Sequence, residues 1–372
     1  MTGLLYFPLL ILLLYILRKR QIFRSQPDTR FSFSIIVPFR NEARNLSRLI
    51  EGINKLDYPR EKFEVIFVND GSTDNSIDII NASQKNFSFH ILHALPGDGS
   101  PKKRALETGI RHARFDKIIT WDADVRPVSG YLHTLSAYLK AKENIFLTGP
   151  VLIEKRTIST PLTTLQKGEF LALMALTEAG FTAGKPFLAN GANLTVDKKT
   201  FNRVGGYAEN MHYAGGDDIF LLEKIKSAYP GQADFIKSPG AVVYTLPVNG
   251  IRAWKEQRLR WSIKMFKNQR VSGFVFLLLQ FAVYAEILYR LWHFSVPWNP
   301  VLLVFLIAGT GYFHYRLLSI TASAYRYAWK FKEFLLAQIL LIFLYPWLGI
   351  NILLHLLLPS KTFEWKDRRH HQ

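Results

Sequence analysis

The sequence predicts an α/β protein with a mostly parallel sheet, flanked by transmembrane helices. Three observations lead there. Runs of β-forming apolar residues alternate with stretches of helical spacing between residues 33 and 124. Polar clusters stand at the carboxyl ends of those runs. The most apolar sequence is segregated into residues 1–17 and 271–358, around a segment of ordinary globular composition. Strands that alternate with helices build parallel sheets, and such sheets gather ligands at the carboxyl ends of their strands.

The first run, 33–37, ends at Pro38 and reads as a strand entering a turn. Over 41–54, Leu46, Leu49, Ile50 and Ile53 recur at helical spacing. A second strand, 63–68, is apolar apart from Glu64 and stops at Asn69-Asp70-Gly71-Ser72-Thr73-Asp74. There Ser72 or Thr73 is expected to cap the helix that carries Ile77, Ile79 and Ile80. A short strand at 89–92, a helix over 103–114 and a strand from Lys117 to Asp122 complete the series. This last strand ends in two carboxylates one residue apart. In an extended chain residues i and i+2 face the same way, so Asp122 and Asp124 can converge on one object. A hard divalent cation such as Mg2+ or Mn2+, shared with substrate phosphates, suits them.

Three further clusters carry chemistry. Lys102, Lys103 and Arg104 lie at an expected helix N-terminus, where cations oppose the helix dipole and call for an anionic companion. Gly215-Gly216-Asp217-Asp218 opens an apolar helix; these acids either serve the cap and the dipole, or one of them acts as a general base on a hydroxyl. Trp254-Lys255-Glu256-Gln257-Arg258-Leu259-Arg260-Trp261 has the Arg- and Trp-rich composition of a helix lying in a membrane interface, with Arg260 placed to meet a diphosphate and Trp261 to stack under a sugar. The stretch 149–215, with Gly191-Ala192-Asn193 and His212-Tyr213, is expected to shape the pocket.

Composition excludes several classes. The 372 residues contain no cysteine, so disulfides, thiolate catalysis and cysteine-ligated zinc are ruled out. No G-x-G-x-x-G follows the first strand and no Walker-type loop occurs. The net charge is +18, but the basic residues cluster beside the apolar spans rather than along a stripe with stacking aromatics. That pattern fits an anionic membrane leaflet and argues against nucleic acid as a partner.

The apolar ends set the organisation. Residues 1–20 read as an N-terminal transmembrane anchor, because Arg18-Lys19-Arg20 follow the apolar run 4–17 rather than precede it as in a cleaved signal. Residues 30–250 form the globular domain and 251–270 the amphipathic segment. Residues 271–358 hold two to three spans, the last of which Pro346 and Gly349 could break into a re-entrant pair; 359–372 form a basic tail. Seven Lys/Arg against one Glu in 252–270 place the globular domain on the cytosolic side of a bacterial-type inner or plasma membrane.

Taken in order, the clusters make the chain resemble a membrane-bound family 2 glycosyltransferase with a GT-A catalytic domain. The resemblance rests on Val37-Pro38-Phe39-Arg40-Asn41-Glu42, the 68–74 turn, Lys102 with Ala105-Leu106, Thr120-Trp121-Asp122-Ala123-Asp124, Gly216-Asp217-Asp218, and Gln257 with Arg260-Trp261, and it covers about residues 33–262. It implies that Pro38, Arg40 and Glu42 line the nucleotide pocket, that Asp70 bonds the base and that Lys102 approaches the diphosphate. Asp122 would contact donor and metal, Asp124 would bind Mg2+ or Mn2+, and Asp218, beside Asp217, would deprotonate the acceptor. Gln257, Arg260 and Trp261 resemble the Q-x-x-R-W motif of cellulose, chitin and hyaluronan synthases, which sits by the pyrophosphate and the acceptor sugar. The implied reaction is inverting transfer from a nucleotide-sugar, of the UDP class, to a lipid-linked or glycan acceptor among membrane lipids. A processive polysaccharide synthase and an inactive scaffold of a glycan assembly are the alternatives. Asn69 departs from the family pattern, which often has an Asp there.

Overall fold

Two strands with both faces buried, Phe33–Phe39 (β1) and Phe63–Asn69 (β2), run parallel in register from Phe33 opposite Phe63 to Phe39 opposite Asn69. Burial on both faces explains their near-continuous apolar sequence. The computed structural model describes residues 2–155, 160–213, 215–267, 271–294, 296, 299–357, 363–365 and 368–370. In chain order an N-terminal helix α1 (Thr2–Lys19) precedes β1, α2 (Ala43–Asn54), β2, α3 (Ser76–Ala82), β3 (Ser88–His93), α4 (Pro101–His112) and β4 (Lys117–Thr120). Then come β5 (Arg126–Pro127), α5 (Tyr131–Lys142), β6 (Phe146–Thr148), β7 (Val151–Ile153), α6 (Pro161–Thr182), β8 (Leu194–Asp197) and α7 (Lys198–Arg203). The remainder comprises α8 (Asp217–Ala228), β9 (Ala233–Phe235), β10 (Val243–Thr245), α9 (Ile251–Lys267), α10 (Val271–Trp292), α11 (Asn299–Ala324) and α12 (Phe331–Leu357).

These elements form two compact units. The first holds Gln21–Leu152, Gly184–Leu246 and Thr362–Gln372. Its main sheet has the order β3-β2-β1-β4-β8-β6-β9. Strands β3, β2, β1 and β4 are parallel, and β8 alone runs against its neighbours β4 and β6. The chain therefore moves outward to β2 and β3 on one side of β1 and to β4 on the other. The carboxyl ends of β1, β2 and β4 meet at this switch point, where open sheets bind their ligands. Glu64 is tolerated inside β2 because its carboxylate accepts from Ser34 Oγ (2.6 Å) and from the Arg114 N–H (2.7 Å).

Helix α4 lies on β1 and β2 through Gly109. A β-carbon there would overlap Ile36 Cγ2 and stand 3.1 Å from Val68 Cγ2. Gly109→Ala is expected to cost about 1–3 kcal/mol through overpacking, and to lower the thermal midpoint accordingly. An unchanged midpoint would show that α4 has room to lift off the sheet.

Local boundaries differ from the sequence expectation in three places. β4 ends at Thr120, two residues before Asp122: the Trp121 N–H makes one more ladder bond to Ile36 O (3.0 Å), and the chain then turns, with the Val125 N–H donating to Asp122 O (3.3 Å). Alternation survives the turn, since Trp121, Ala123 and Val125 are buried while Asp122 and Asp124 are more exposed. Helix α3 has Asn75, not Ser72 or Thr73, at its N-cap, and Asp74 just before it accepts from the Ser76 N–H (3.0 Å). Residues 153–183, expected within the 30–250 domain, cluster with the apolar helices, because α6 is buried on nearly every face.

The second unit holds Met1–Arg20, Ile153–Ala183 and Pro247–Lys361. Helices α11 and α12 contain segments long and apolar enough to cross a membrane, Asn299–Ala324 and Phe331–His355. Their exposed residues include Val304, Phe305, Ile339, Phe343 and Ile350. α1, at 18 residues, extends about 27 Å, just short of a bilayer core. α12 runs unbroken through Pro346, so the re-entrant alternative is not adopted; Gly349 instead lets Phe281 of α10 approach closely. Of the basic tail only 363–365 and 368–370 are described, as an antiparallel pair; the 295–300 link also lies partly outside the described residues.

Candidate active site

Where β4 gives way to its turn, Asp122 meets Lys102, the second residue of α4. Lys102 Nζ stands 2.8 Å from Asp122 Oδ1 and 3.2 Å from Asp217 Oδ2, so one ammonium bridges carboxylates from two elements. Asp217 is 6% exposed, Lys102 22% and Asp122 37%, which makes this a recessed cluster open on the Asp122 side. Burial works against the ammonium, but the charges of Asp122, Asp217 and Asp218 outweigh it and hold the Lys102 pKa well above the ordinary lysine value. The anionic companion expected for a cation in the first turn of α4 is thus supplied by the protein's own carboxylates.

Asp217 and Asp218 open α8 after Gly216, whose φ of +72° lets the chain turn sharply into the helix. Both acids lie in the first turn, where the helix dipole favours them. Asp218 is oriented as well as placed: Oδ2 accepts from the Gly191 N–H (3.0 Å) and Oδ1 from the Ile219 N–H (2.8 Å). The Gly191 carbonyl accepts from Thr120 Oγ1 (3.0 Å), which ties the end of β4 to Asp218 through one residue. A side chain at 191 would come within 2.9 Å of Asp217 Oδ2, so close approach of backbone to carboxylate requires glycine there. Asn193 is fully engaged in the frame: its Oδ1 accepts from Tyr131 OH (2.6 Å), and its Nδ2 donates to Pro150 O and Ala241 O.

Asp124 has different partners from Asp122. Its Oδ2 accepts from Thr245 Oγ1 of β10 (2.9 Å) and its carbonyl accepts from Arg48 of α2 (2.7 Å). Neither Thr245 nor Arg48 stands out in the sequence. Among the described residues no group of three or more His, Asp or Glu side chains is arranged as a ready metal-ligand set. The oxygen donors of Asp122 and Asp124 nevertheless fit a cation of the Mg2+ type, which takes one or two protein carboxylates and completes its shell with substrate phosphates and water.

At the ends of β1 and β2 the predicted nucleotide residues form one stitched pair of turns. The Asp70 N–H donates to Phe39 O (2.9 Å), and Arg40 NH1 donates to the carbonyls of Asp70 and Gly71 (3.1 Å each). Asn41, at φ +51°, accepts from the Thr73 N–H (2.8 Å). Asn69 Oδ1 accepts from the Ser72 N–H (2.8 Å), so the residue that departs from the family pattern shapes the turn around buried Asp70. Pro38 is the penultimate residue of β1, opposite Val68, and Glu42 accepts from Asn45 Nδ2 (2.6 Å).

Gln257, Arg260 and Trp261 lie on α9 in the second unit. There the buried carboxylate of Glu169 on α6 accepts from Arg258, from Trp254 Nε1 (3.0 Å) and from Tyr345 OH (3.2 Å). Arg258 also donates to Gln257 and stands 4.6 Å from the Trp261 ring centroid, while Phe170 meets Trp261 edge to face. Burial holds the Arg260 guanidinium below its ordinary pKa.

The sequence profile of glycosyl transferase family 2 matches residues 34–188, and that of glycosyl transferase family group 2 matches residues 117–355. A probable glycosyltransferase YdaM of Bacillus subtilis is 24% identical over 235 residues, 62% of this chain and 54% of its own length. The poly-beta-1,6-N-acetyl-D-glucosamine synthase of Staphylococcus epidermidis is 24% identical over 231 residues, 62% of this chain and 53% of its own length. An undecaprenyl-phosphate 4-deoxy-4-formamido-L-arabinose transferase of Shewanella sediminis is 31% identical over 119 residues, 32% of this chain and 35% of its own length. The chain thus spans about half or less of the length of these relatives. Among solved structures, the mannosyltransferase PcManGT from Pyrobaculum calidifontis, in complex with GDP-Man and Mn2+, superposes with a TM-score of 0.57 and 18% identity, covering 95% of this chain and 94% of that one. At that identity the likeness establishes the GT-A fold.

Proposed function

Because the chain belongs to the family 2 glycosyltransferases, we propose that it moves a sugar from a nucleoside-diphosphate sugar, of the UDP class, to a hydroxyl of a lipid-linked or membrane-associated acceptor. The observation that carries this reading is the bridge of Asp122, Lys102 and Asp217 beside Asp218, at the carboxyl edge of the sheet. Asp218, its carboxylate oriented by Gly191, takes the proton of the acceptor hydroxyl. The hydroxyl oxygen forms its bond to the anomeric carbon as the bond to the diphosphate oxygen breaks, and the nucleoside diphosphate departs. Lys102, set between Asp122 and Asp217, meets the negative charge that grows on that leaving group, which is the term enzymes of this kind rely on most. Pro38, Arg40 and Asp70 frame the nucleoside side, with Glu42 holding the first turn of α2.

Asp124 and Asp122 would hold Mg2+ or Mn2+, which when bound supplies further charge neutralisation at the diphosphate. Gln257, Arg260 and Trp261 are assigned to the diphosphate and acceptor sugar on the strength of their motif. The apolar, exposed faces of α11 and α12 support a membrane location, and the basic content of α9 supports a cytosolic catalytic unit. Names of relatives such as the undecaprenyl-phosphate transferase favour a lipid-linked acceptor.

Purified protein in lipid nanodiscs, incubated with a panel of UDP-, GDP- and TDP-sugars with and without Mn2+, is expected to release nucleoside diphosphate from one donor in a Mn2+-stimulated manner. Release no greater than that of the Asp218→Asn variant, for every donor, would contradict the assignment.

A further inference from the structure

Lys103 follows Lys102 in the first turn of α4 but is fully buried, at 0% exposure. Its Nζ donates to the main-chain carbonyls of Asn210 (2.6 Å) and Tyr213 (3.1 Å) and stands 4.9 Å from the centroid of the Phe220 ring. Phe220 belongs to α8, two residues after Asp218, and stacks on Tyr213 at 5.2 Å and 17°. A second tie runs beside the first, since the Ser100 N–H at the head of α4 donates to Met211 O (2.6 Å). Gly215 and Gly216, with φ of +122° and +72°, stand immediately before Asp217 and Asp218.

A buried ammonium is costly unless its hydrogens are taken up, and an apolar side chain would fill the same space without that cost. What the ammonium adds is direction. It fixes the carbonyls of Asn210, at the end of a 3-10 turn, and of Tyr213, both ahead of α8, and its charge sits against an aromatic face of the helix that carries the candidate base. Adjacent lysines thus divide the work, Lys102 on the carboxylates and Lys103 on the backbone that presents them. We propose that Lys103 is a positioning residue for Asp218, setting the main chain before α8 so that the base meets the acceptor hydroxyl. The proposal rests on the reading of Asp218 as that base. Small displacements of a reacting group cost large factors in rate, which makes the clamp a determinant of turnover rather than of donor affinity.

The test uses the full chain in nanodiscs, with UDP binding by calorimetry as the donor-site probe and the active donor of the panel for turnover. Lys103→Met is expected to lower kcat at least tenfold, with UDP affinity and donor KM within twofold of wild type, and Lys103→Gln to fall between. Hydrogen exchange in Lys103→Met is expected to rise over residues 208–220 and not in the central strands. Wild-type kcat in Lys103→Met overturns the proposal, as does a parallel fall of kcat, UDP affinity and thermal midpoint with exchange rising throughout the sheet. If Lys103→Met does not fold, unchanged kcat in Lys103→Gln overturns it equally. Wild-type turnover in Asp218→Asn would remove the base assignment itself, and the exchange pattern of Lys103→Met separates that failure from failure of the clamp.

Discussion

Asp218→Asn is expected to lower transfer by about 10²–10⁴-fold, the usual contribution of a positioned general base. The amide keeps the shape of the side chain and an acceptor oxygen for the Gly191 N–H, now 3.0 Å from Oδ2. What it loses is the capacity to accept a proton from the acceptor hydroxyl, together with one hydrogen bond worth about 1 kcal/mol, because its Nδ2 cannot accept from the Ile219 N–H. The thermal midpoint and UDP affinity should therefore stay near wild type while turnover collapses. Coupled loss of folding and activity would assign Asp218 to the frame instead, as a first-turn acid that serves the α8 dipole. Asp217→Asn separates the neighbours: Asp217 faces Lys102, so its variant should disturb the ammonium before it disturbs proton transfer.

The second large effect is expected at Lys102. Lys102→Met leaves Asp217, 6% exposed, without the cation that faces it, and removes the partner of Asp122. Breaking a fully buried pair from one side costs about 3–5 kcal/mol; here water reaches Asp122 and part of Lys102, so about 1–3 kcal/mol of stability is expected to go. Activity should fall further than stability explains, by about 10²–10³-fold, because the charge proposed to meet the leaving diphosphate is gone. The double variant Lys102→Met with Asp217→Asn distinguishes the two losses. Removing the orphaned carboxylate is expected to restore the thermal midpoint but not the turnover. Recovery of both together would mean that Lys102 serves only to neutralise Asp217.

The sheet edge is legible in the sequence for a physical reason. β1 and β2 are buried on both faces and β4 nearly so, hence they read as apolar runs, and each gives way to a polar cluster at its carboxyl end. That pattern alone places Pro38, Asp70 and Asp122 on one rim. The helical spacing of Leu46, Leu49, Ile50 and Ile53 is recovered as the buried face of α2. Less legible is whatever depends on partners distant in the chain. Thr245 reaches Asp124 across 121 positions and Arg48 across 76, and neither carries a local pattern. The partner of Lys102 was expected to be an anion of unspecified origin; that Asp217 supplies it requires knowing that α8 starts beside α4. Helix α6 hides its role for the opposite reason. It is buried around most of its circumference, with Thr164, Gln166, Lys167 and Glu178 among the buried residues, so periodicity does not say which unit it joins, and its buried Glu169 looks isolated until Trp254, Arg258 and Tyr345 are seen around it. The end of β4 is masked in the sequence because Trp121 and Asp122 continue the alternation of a strand after its ladder has ended.

The proposed assignment, with Asp218 as the single base and a nucleoside diphosphate as leaving group, requires direct displacement at the anomeric carbon, and the stereochemistry of the product reports on that most directly. Proton NMR of the glycoside formed from the active donor, read before mutarotation or further processing, should show the anomeric configuration inverted relative to the nucleotide-sugar. A product that retains the donor configuration would contradict the assignment of Asp218 as the base of a single displacement.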